Sequence, residues 1–297
     1  MATRFLAVVL AASACWCSAT DMQTDTHCVS AKSSSMLQSH HGRQKMSLKS
    51  WKAAWDEDPS IFKGCSKIFI DVGSNAGTHI RKLFEPEKYP RSPYLKVFET
   101  AFGAPSLRHK ASAETGICAF GFDANPRFVS RYQEIEEAYS QQGWRARWFA
   151  PFAVSNETGN VTFWINQRPG GYMDWGASII DRGGSGSNVT VPEVDFGSFL
   201  EALRLHAEPG YKLMKMDIEG AEFDVLAELL QRGQLCEGSL DLMTIEWHPQ
   251  FLAEDRQEQA QELMKEVSRA DKCGHKQDTQ VLTLDDESYL YDGMPLP

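Results

Sequence analysis

Short runs of apolar residues alternate along the chain with longer segments in which apolar residues recur at helical spacing. Buried strands are predicted from the apolar runs at residues 67–73, 117–122, 145–154, 211–216 and 240–247. Helices are predicted between and after them at residues 76–84, 126–142, 194–203, 221–230 and 253–270. Strands that alternate with helices indicate an α/β fold with a mostly parallel sheet and helices on both faces.

Further strand patterns occur outside this alternation. Residues 160–165 are rich in β-branched and aromatic residues and are predicted to pair in a hairpin. Residues 280–284 and 288–291 are predicted to close the sheet as an antiparallel edge. Residues 85–116, rich in proline, serine and charge, are predicted to be an insertion, and the glycine-rich residues 166–188 a loop.

The first 19 residues have the pattern of a signal peptide. Arg4 is followed by an apolar run that reaches Ala14 and by small residues through Ala19. The run is shorter than the roughly 20 residues that a transmembrane helix needs. A buried N-terminal helix and an uncleaved signal anchor are the alternatives. We therefore expect a protein of the secretory lumen or the extracellular space, with no stable membrane span after cleavage.

Residues 20–50 differ in composition from the rest of the chain. They are rich in serine, and acidic residues are absent from position 26 to position 55. This composition predicts a disordered linker before a folded domain at residues 51–297. The alternative is a transit-like segment behind the signal peptide, which would direct the protein to a plastid.

Composition and charge narrow the range of partners. Of the 297 residues, 42% are hydrophobic and 24% are charged, as in ordinary globular proteins. The net charge of −10 provides no overall basic field for a nucleic acid backbone, so no nucleic acid partner is expected.

Cysteines and glycosylation motifs fit the expected compartment. Five of the seven cysteines would remain after cleavage behind Ala19, and Cys236 and Cys273, which flank one predicted strand–helix unit, are the pair expected to be bonded. No Cys-x-x-Cys motif suggests a metal-binding or redox site. Asn-x-Thr motifs begin at Asn156, Asn160 and Asn188, and they are candidate glycan acceptors beside a signal peptide.

The strongest motif, Asp71-Val-Gly-Ser-Asn-Ala-Gly-Thr78, follows the first predicted strand and opens a helix. Gly73 and Gly77 allow a tight turn and a close approach to a ligand. Asn75 stands where the dinucleotide fingerprint has its second glycine, and no Gly-Lys-Ser/Thr of a phosphate-binding loop occurs. A zwitterionic ligand fits better, because loop amides can meet a carboxylate while Asp71 attracts an ammonium. S-adenosylmethionine carries both groups, and a purely structural turn is the alternative.

Acidic residues also follow the second and fourth predicted strands. Asp123 could accept the two ribose hydroxyls of an adenosine, or it could cap the helix that begins at Asn125-Pro126. Asp217 and Glu219 lie in the motif Lys215-Met-Asp-Ile-Glu-Gly-Ala-Glu222. Two carboxylates at a buried strand end need a partner, because a desolvated charge is costly. A substrate hydroxyl, a cation or the sulfonium of the cofactor would serve, and a capping acid beside a solvated one is the alternative.

The fifth predicted strand ends in Glu246-Trp-His248. Residues two apart in a strand share a face, so the carboxylate of Glu246 can orient the imidazole of His248 as a general base. A structural histidine is the alternative. Ligands of open α/β sheets bind at the carboxyl ends of the strands. All these acidic and imidazole side chains are therefore expected around one crevice.

In this order the motifs resemble those of FkbM-type methyltransferases. The resemblance covers about residues 66–250 and includes the segment around Asp195. It implies a Rossmann-like class I methyltransferase fold, S-adenosylmethionine as cofactor and methyl transfer to a hydroxyl oxygen. With the loop motif, it gives the predicted cofactor-binding residues as Asp71, Gly73, Ser74, Asn75, Gly77 and Asp123. The predicted catalytic residues are His248, Asp217, Glu219 and Glu246.

The acceptor is less defined than the cofactor. A hydroxyl of a glycan or of a secreted small molecule is expected, because the secretory route is rich in glycans. No metal is assigned, although a metal-assisted methyltransferase would use Asp217, Glu219, Glu246 and His248 to bind a hard divalent cation. A secreted binding protein on a catalytically inactive methyltransferase fold is the other rival. A nicotinamide oxidoreductase is disfavoured by the missing glycine fingerprint.

Overall fold

The central sheet has six strands in the order β3-β2-β1-β7-β8-β9, and every neighbouring pair is parallel. Three further strands form a second sheet in the order β4-β6-β5. The strands are β1 Lys67–Val72, β2 Ile117–Phe122, β3 Arg145–Phe149, β4 Ala153–Ser155, β5 Gly159–Ile165, β6 Ser187–Asp195, β7 Tyr211–Met216, β8 Leu242–Ile245 and β9 Gln280–Thr283.

The computed structural model describes residues 54–165, 176–181, 186–236, 238–274, 278–286, 288 and 295–297. The predicted signal peptide and linker lie outside the described residues, as does most of the glycine-rich loop. The α-helices are α1 Ala54–Glu57, α2 Thr78–Phe84, α3 Tyr94–Phe102, α4 Pro105–Arg108, α5 Ser112–Thr115, α6 Val129–Gln141, α7 Phe196–His206, α8 Glu222–Gln231 and α9 Gln257–Ser268. Short 3₁₀ helices lie at Pro59–Phe62, Pro86–Lys88, Pro126–Phe128, Pro249–Phe251 and Glu254–Arg256.

The topology confirms the predicted fold class. Strands β1, β2 and β3 follow one another outward on one side of the sheet. Strand β7 then pairs with the other side of β1, and β8 and β9 follow it outward. Side chains of β1 alternate between two apolar clusters, with Ile68 and Ile70 in one and Phe69 in the other. Helices therefore cover both faces, and the order reverses between β1 and β7. Such a switch point leaves a crevice at the carboxyl ends of the strands.

The predicted antiparallel edge is wrong for β9. This strand pairs parallel to β8, with Gln280 opposite Leu242, because α9 crosses over between the two strands and returns the chain in the same direction. The expected second edge segment, 288–291, lies largely outside the described residues. Antiparallel pairing occurs instead in the second sheet, between β5 and β6.

Three other boundaries differ from the sequence prediction. The third strand ends at Phe149 and the chain enters the second sheet at β4, since Pro151 has no N–H with which to continue a ladder. Val194, predicted to be helical, is the penultimate residue of β6. Helix α7 starts only after Asp195, whose carboxylate accepts the N–H of Gly197 at 3.0 Å. The predicted insertion, residues 85–116, contains α3 to α5 and contributes to the core.

Two disulfides link described residues. Cys236 and Cys273 are bonded, which confirms the expected pair, and Cys65 is bonded to Cys118. The second bond joins the segment before β1 to the start of β2. Among the described residues, no helix has the length and apolar character required to cross a membrane.

Candidate active site

The loop after β1 packs against the end of β7. Gly73 has a φ of +83°, and a Cβ atom on it would lie 1.7 Å from the carbonyl oxygen of Asp217. Gly77 also has a positive φ, of +80°, and faces side chains of α6 and β3. The first glycine is therefore required for contact between two parts of the protein, in addition to the tight turn and close ligand approach that the sequence indicates.

Asp123, which follows β2, is tied to the same loop. Its Oδ2 accepts the backbone N–H of Asn75 at 2.7 Å, and its Oδ1 accepts the N–H of Asn125 at 2.7 Å. Burial raises the pKa of Asp123 to about 7, against these two hydrogen bonds, which lower it. The carboxylate thus fixes the cofactor loop and also caps the following segment, and it still faces the cleft.

Asp71 and Ser74 do not line the cleft. Asp71 is fully buried, and its carboxylate oxygens have no hydrogen-bond partner among the described residues. The Ser74 hydroxyl donates to the backbone carbonyl of Asp71 at 3.0 Å, not to its carboxylate. The Nζ atom of Lys215 lies 3.7 Å from Asp71 Oδ1. Burial raises the pKa of Asp71 to about 6, and the charge of Lys215 partly offsets this rise.

The turn after β7 carries two half-buried carboxylates, Asp217 and Glu219. Asp217 Oδ2 accepts a hydrogen bond from Lys215 Nζ at 3.1 Å. Glu219 has a φ of +59°, a left-handed conformation that costs a side chain with a Cβ about 1–2 kcal/mol. Its carbonyl accepts the hydroxyl of Ser178 at 2.9 Å. Among the described residues, only Glu219 and Asn75 combine a positive φ with a side chain.

His248 is surrounded by carboxylates. Its Nδ1 lies 3.2 Å from Glu222 Oε1, and its Nε2 lies 3.2 Å from Glu246 Oε1 and 3.9 Å from Glu219 Oε2. Burial lowers the pKa of His248, but the hydrogen bonds and charges of these carboxylates raise it to about 10. Without a bound cation the ring therefore carries protons on both nitrogens at neutral pH. In that state it can donate hydrogen bonds but cannot accept a proton.

A cleft lies at the carboxyl ends of β1, β2 and β7. It has a volume of about 790 Å³, including space open to solvent. Of the predicted site residues, Gly73, Asn75, Asp123, Asp217 and Glu219 line it. Those that do not line it are Asp71, Ser74, Gly77, Glu246 and His248.

Several lining residues were not predicted. Ser178 and Ile179 reach the cleft from the glycine-rich segment, which has no periodicity to reveal them. Ser178 is paired through its backbone with Trp164 of β5 and donates its hydroxyl to the carbonyl of Glu219, so this residue links the second sheet to the turn after β7. His79 in the first turn of α2 also lines the cleft. Burial and the charges of Lys82 and Lys215 lower its pKa well below the usual value.

One group of side chains has donor atoms close enough to hold a metal ion. Atoms of Asp217, Glu219 and His248 lie within 4.8 Å of one another. Two carboxylates and an imidazole suit a divalent cation. A metal bound to His248 would need a nitrogen lone pair, so the ring would first have to lose a proton.

The parallel sheet has a cleft at its switch point, between the loop after β1 and the turn after β7. This arrangement is a Rossmann-like methyltransferase fold. The family described as Methyltransferase FkbM domain matches residues 71–276, about two thirds of the chain. The chain belongs to this family, which confirms the resemblance of its motifs. Comparisons with curated proteins and with solved structures gave no significant match.

Proposed function

We propose that the protein is an S-adenosylmethionine-dependent methyltransferase that transfers a methyl group to a hydroxyl oxygen. The observation that carries the proposal is the position of its two strained residues. Asn75 and Glu219 lie on different loops, yet both line the same cleft. Strained backbone is retained where function requires a fixed geometry. The family membership supports the reaction class.

The cleft suits the cofactor in shape and in polarity. Asp123 faces it with a carboxylate that is already oriented by two backbone N–H groups. We propose that this carboxylate also accepts the ribose hydroxyls. Phe122, Phe128 and Phe163 supply apolar walls. We propose that Gly73, Asn75 and Asp123 hold the cofactor. When bound, S-adenosylmethionine supplies a methyl group on a good leaving group.

The acceptor side is assigned to Asp217 and Glu219, since both line the cleft. An alcohol is a poor nucleophile and benefits from a base that removes its proton. We propose that Asp217 accepts this proton as the acceptor oxygen attacks the methyl carbon. His248, expected from the sequence to be the base, lies outside the cleft lining and contacts Glu219 and Glu246. Its proposed role is to position the carboxylates.

Calorimetry and turnover assays test these roles together. The wild-type protein should bind S-adenosylmethionine, and Asp123→Asn should weaken binding by roughly ten- to a hundredfold, the effect of losing a charge-assisted hydrogen bond. Asp217→Asn should leave the dissociation constant unchanged and lower turnover by about 10²–10⁴-fold. Folded wild-type protein that binds no cofactor would favour the rival hypothesis of a binding protein on an inactive fold.

The proximity of Asp217, Glu219 and His248 favours metal-assisted transfer as a second candidate. A divalent cation there would lower the pKa of the acceptor hydroxyl, so that a weaker base could remove its proton. Turnover of metal-depleted protein, measured before and after addition of Mg²⁺ or Mn²⁺, separates the two versions. Full activity after exhaustive chelation would exclude the metal-assisted one.

We further propose a glycan or a secreted small molecule as acceptor, and the secretory lumen or extracellular space as location. The two disulfides support an oxidising compartment. The exposure of Asn156, Asn160 and Asn188 is compatible with glycosylation on that route. Import into a plastid through a signal plus a transit-like segment is the alternative. Imaging of the full-length chain fused at its C-terminus to a fluorescent protein distinguishes these destinations.

A further inference from the structure

Lys215 is a buried lysine at the meeting point of the two loops that form the cleft. It precedes the last residue of β7 and is paired in register with Asp71 of β1. Only 4% of its surface is exposed, and it lines the cleft. The sequence motif contains this lysine, but neither the predicted cofactor residues nor the predicted catalytic residues include it.

The ammonium group of Lys215 bonds to both sides of the site. It donates to the carbonyl of Gly73 at 2.8 Å, in the cofactor loop, and to Asp217 Oδ2 at 3.1 Å, in the acidic turn. Asp71 Oδ1 lies 3.7 Å away, on a fully buried carboxylate that accepts no hydrogen bond from the described residues. A buried carboxylate of this kind needs a nearby cation. The lysine therefore combines charge balance with two directed hydrogen bonds.

We propose that Lys215 is a positioning residue for methyl transfer, which holds the cofactor loop and the Asp217 carboxylate in a fixed relation. This inference rests on the proposed function, in which the loop binds the cofactor and Asp217 accepts the acceptor's proton. The competing explanation is that Lys215 only neutralises Asp71. The two explanations differ in whether charge balance alone restores the site.

The double variant Lys215→Met, Asp71→Asn separates them, because it removes both buried charges and both hydrogen bonds of the lysine. If Lys215 positions the site, the double variant should fold, bind S-adenosylmethionine about tenfold or more weakly and lose turnover by a larger factor. The matched control is Arg81→Met, Glu85→Gln, which removes a buried pair of 2.8 Å outside the cleft lining. The control should keep the cofactor affinity of the wild type.

Hydrogen exchange of residues 73–77 provides a readout that needs neither cofactor nor acceptor. Loss of the bond to the Gly73 carbonyl should speed exchange in this loop in the double variant and not in the control. Absence of cofactor binding by the wild type, with faster loop exchange in the variant, would reject the proposed function and retain the positioning role. If residues 73–77 of the double variant exchanged at the same rate as those of the wild type, the positioning role of Lys215 would be rejected.

A second variant covers failure of the first to fold. Lys215→Gln, Asp71→Asn retains an amide donor, which is too short to reach Gly73 and Asp217 together. We expect a folded protein in which either cofactor affinity or turnover falls by about tenfold. Wild-type values for both quantities would show that Lys215 does not position the site.

Discussion

Gly73 and Asp217 are in such close contact that no side chain fits between them. A Cβ atom on Gly73 would lie 1.7 Å from the Asp217 carbonyl oxygen and 2.8 Å from its carbonyl carbon. The contact joins the loop proposed to bind the cofactor to the turn proposed to carry out the transfer. Any displacement of one loop is therefore transmitted to the other.

Gly73→Ala should damage both stability and cofactor binding. The new methyl group must displace the Asp217 backbone, and alanine is also strained at a φ of +83°. Gly233→Ala is the matched control, because Gly233 has a φ of +68° and nothing within 4 Å of an added Cβ. Thermal unfolding should show a clearly larger loss for Gly73→Ala. Equal losses in the two variants would mean that backbone strain alone accounts for the effect.

Asp71 should make stability depend on pH. Its pKa in the folded protein is about 6, above the ordinary value of 3.8, so the folded state favours the protonated acid. This contribution is present below about pH 4 and is lost as the pH rises through 6. Relative to Asp71→Asn, the wild type should lose about 2 kcal/mol of unfolding free energy between pH 4 and pH 7.

Urea unfolding across that pH range measures this change in stability, and Asp286→Asn serves as the control, whose stability relative to the wild type should stay nearly constant from pH 4 to pH 7. Burial raises the pKa of Asp286, but the charge and hydrogen bond of Lys82, together with hydrogen bonds from Ser288 and Ser92, lower it overall. Its contribution to stability should therefore be lost only as the pH falls below about 4. A difference between wild type and Asp71→Asn that stays constant from pH 4 to pH 7 would contradict the prediction.

Ser178→Ala should lower turnover without weakening cofactor binding. The hydroxyl donates to the carbonyl of Glu219 and helps to keep that residue in its left-handed conformation. Loss of one such bond corresponds to a decrease of up to about tenfold. Ser198→Ala removes a similar bond, of 2.7 Å to the Asp195 carbonyl, outside the cleft lining. Turnover and calorimetry should separate the two variants, and equal kinetics would argue against a role for Ser178.

The second sheet should carry glycans on its outer face. Asn160 and Thr162 of β5 are exposed, as are Asn188 and Thr190 of β6, while Phe163, which follows Thr162 and lies on the opposite face of β5, is buried. Protein secreted from eukaryotic cells should lose mass on treatment with an endoglycosidase. Thr162→Ala should abolish the shift due to Asn160, whereas Thr162→Ser should preserve it, since both hydroxyl residues complete the motif. An unchanged mass in all samples would reject glycosylation.

The sequence predicts the strands at the cleft better than the strands beside it. The bounds of β2 and β7 match the prediction, because a strand buried between two helical layers is a continuous apolar run. The sequence pattern does not predict most of β6, since the exposed residues of this strand are polar and Pro192 interrupts the apolar run. The pattern predicts β5, but it does not show that β5 pairs with β6, because that pairing depends on contacts between residues distant in sequence.

The same distinction applies to the site. Asn75, Asp123 and Asp217 could be expected together because each follows a parallel strand. The surroundings of His248 could not, since Glu222 reaches its ring from the first turn of α8. That buried carboxylate changes the imidazole from a candidate base into a cation. The contact of Ser178 with Glu219 likewise joins residues 41 positions apart in the chain, and the sequence around Ser178 has no periodicity that predicts it.

The Cys65–Cys118 bond links the N-terminal ends of β1 and β2, which lie opposite the cleft. Cys65 precedes β1, and Cys118 is the second residue of β2. A cross-link of this kind commonly contributes about 2–4 kcal/mol by restricting the unfolded chain. Residues that change acceptor preference are usually gained at a cost in stability. By supplying stability away from the reacting groups, this bond leaves the rim of the cleft freer to diverge toward new acceptors.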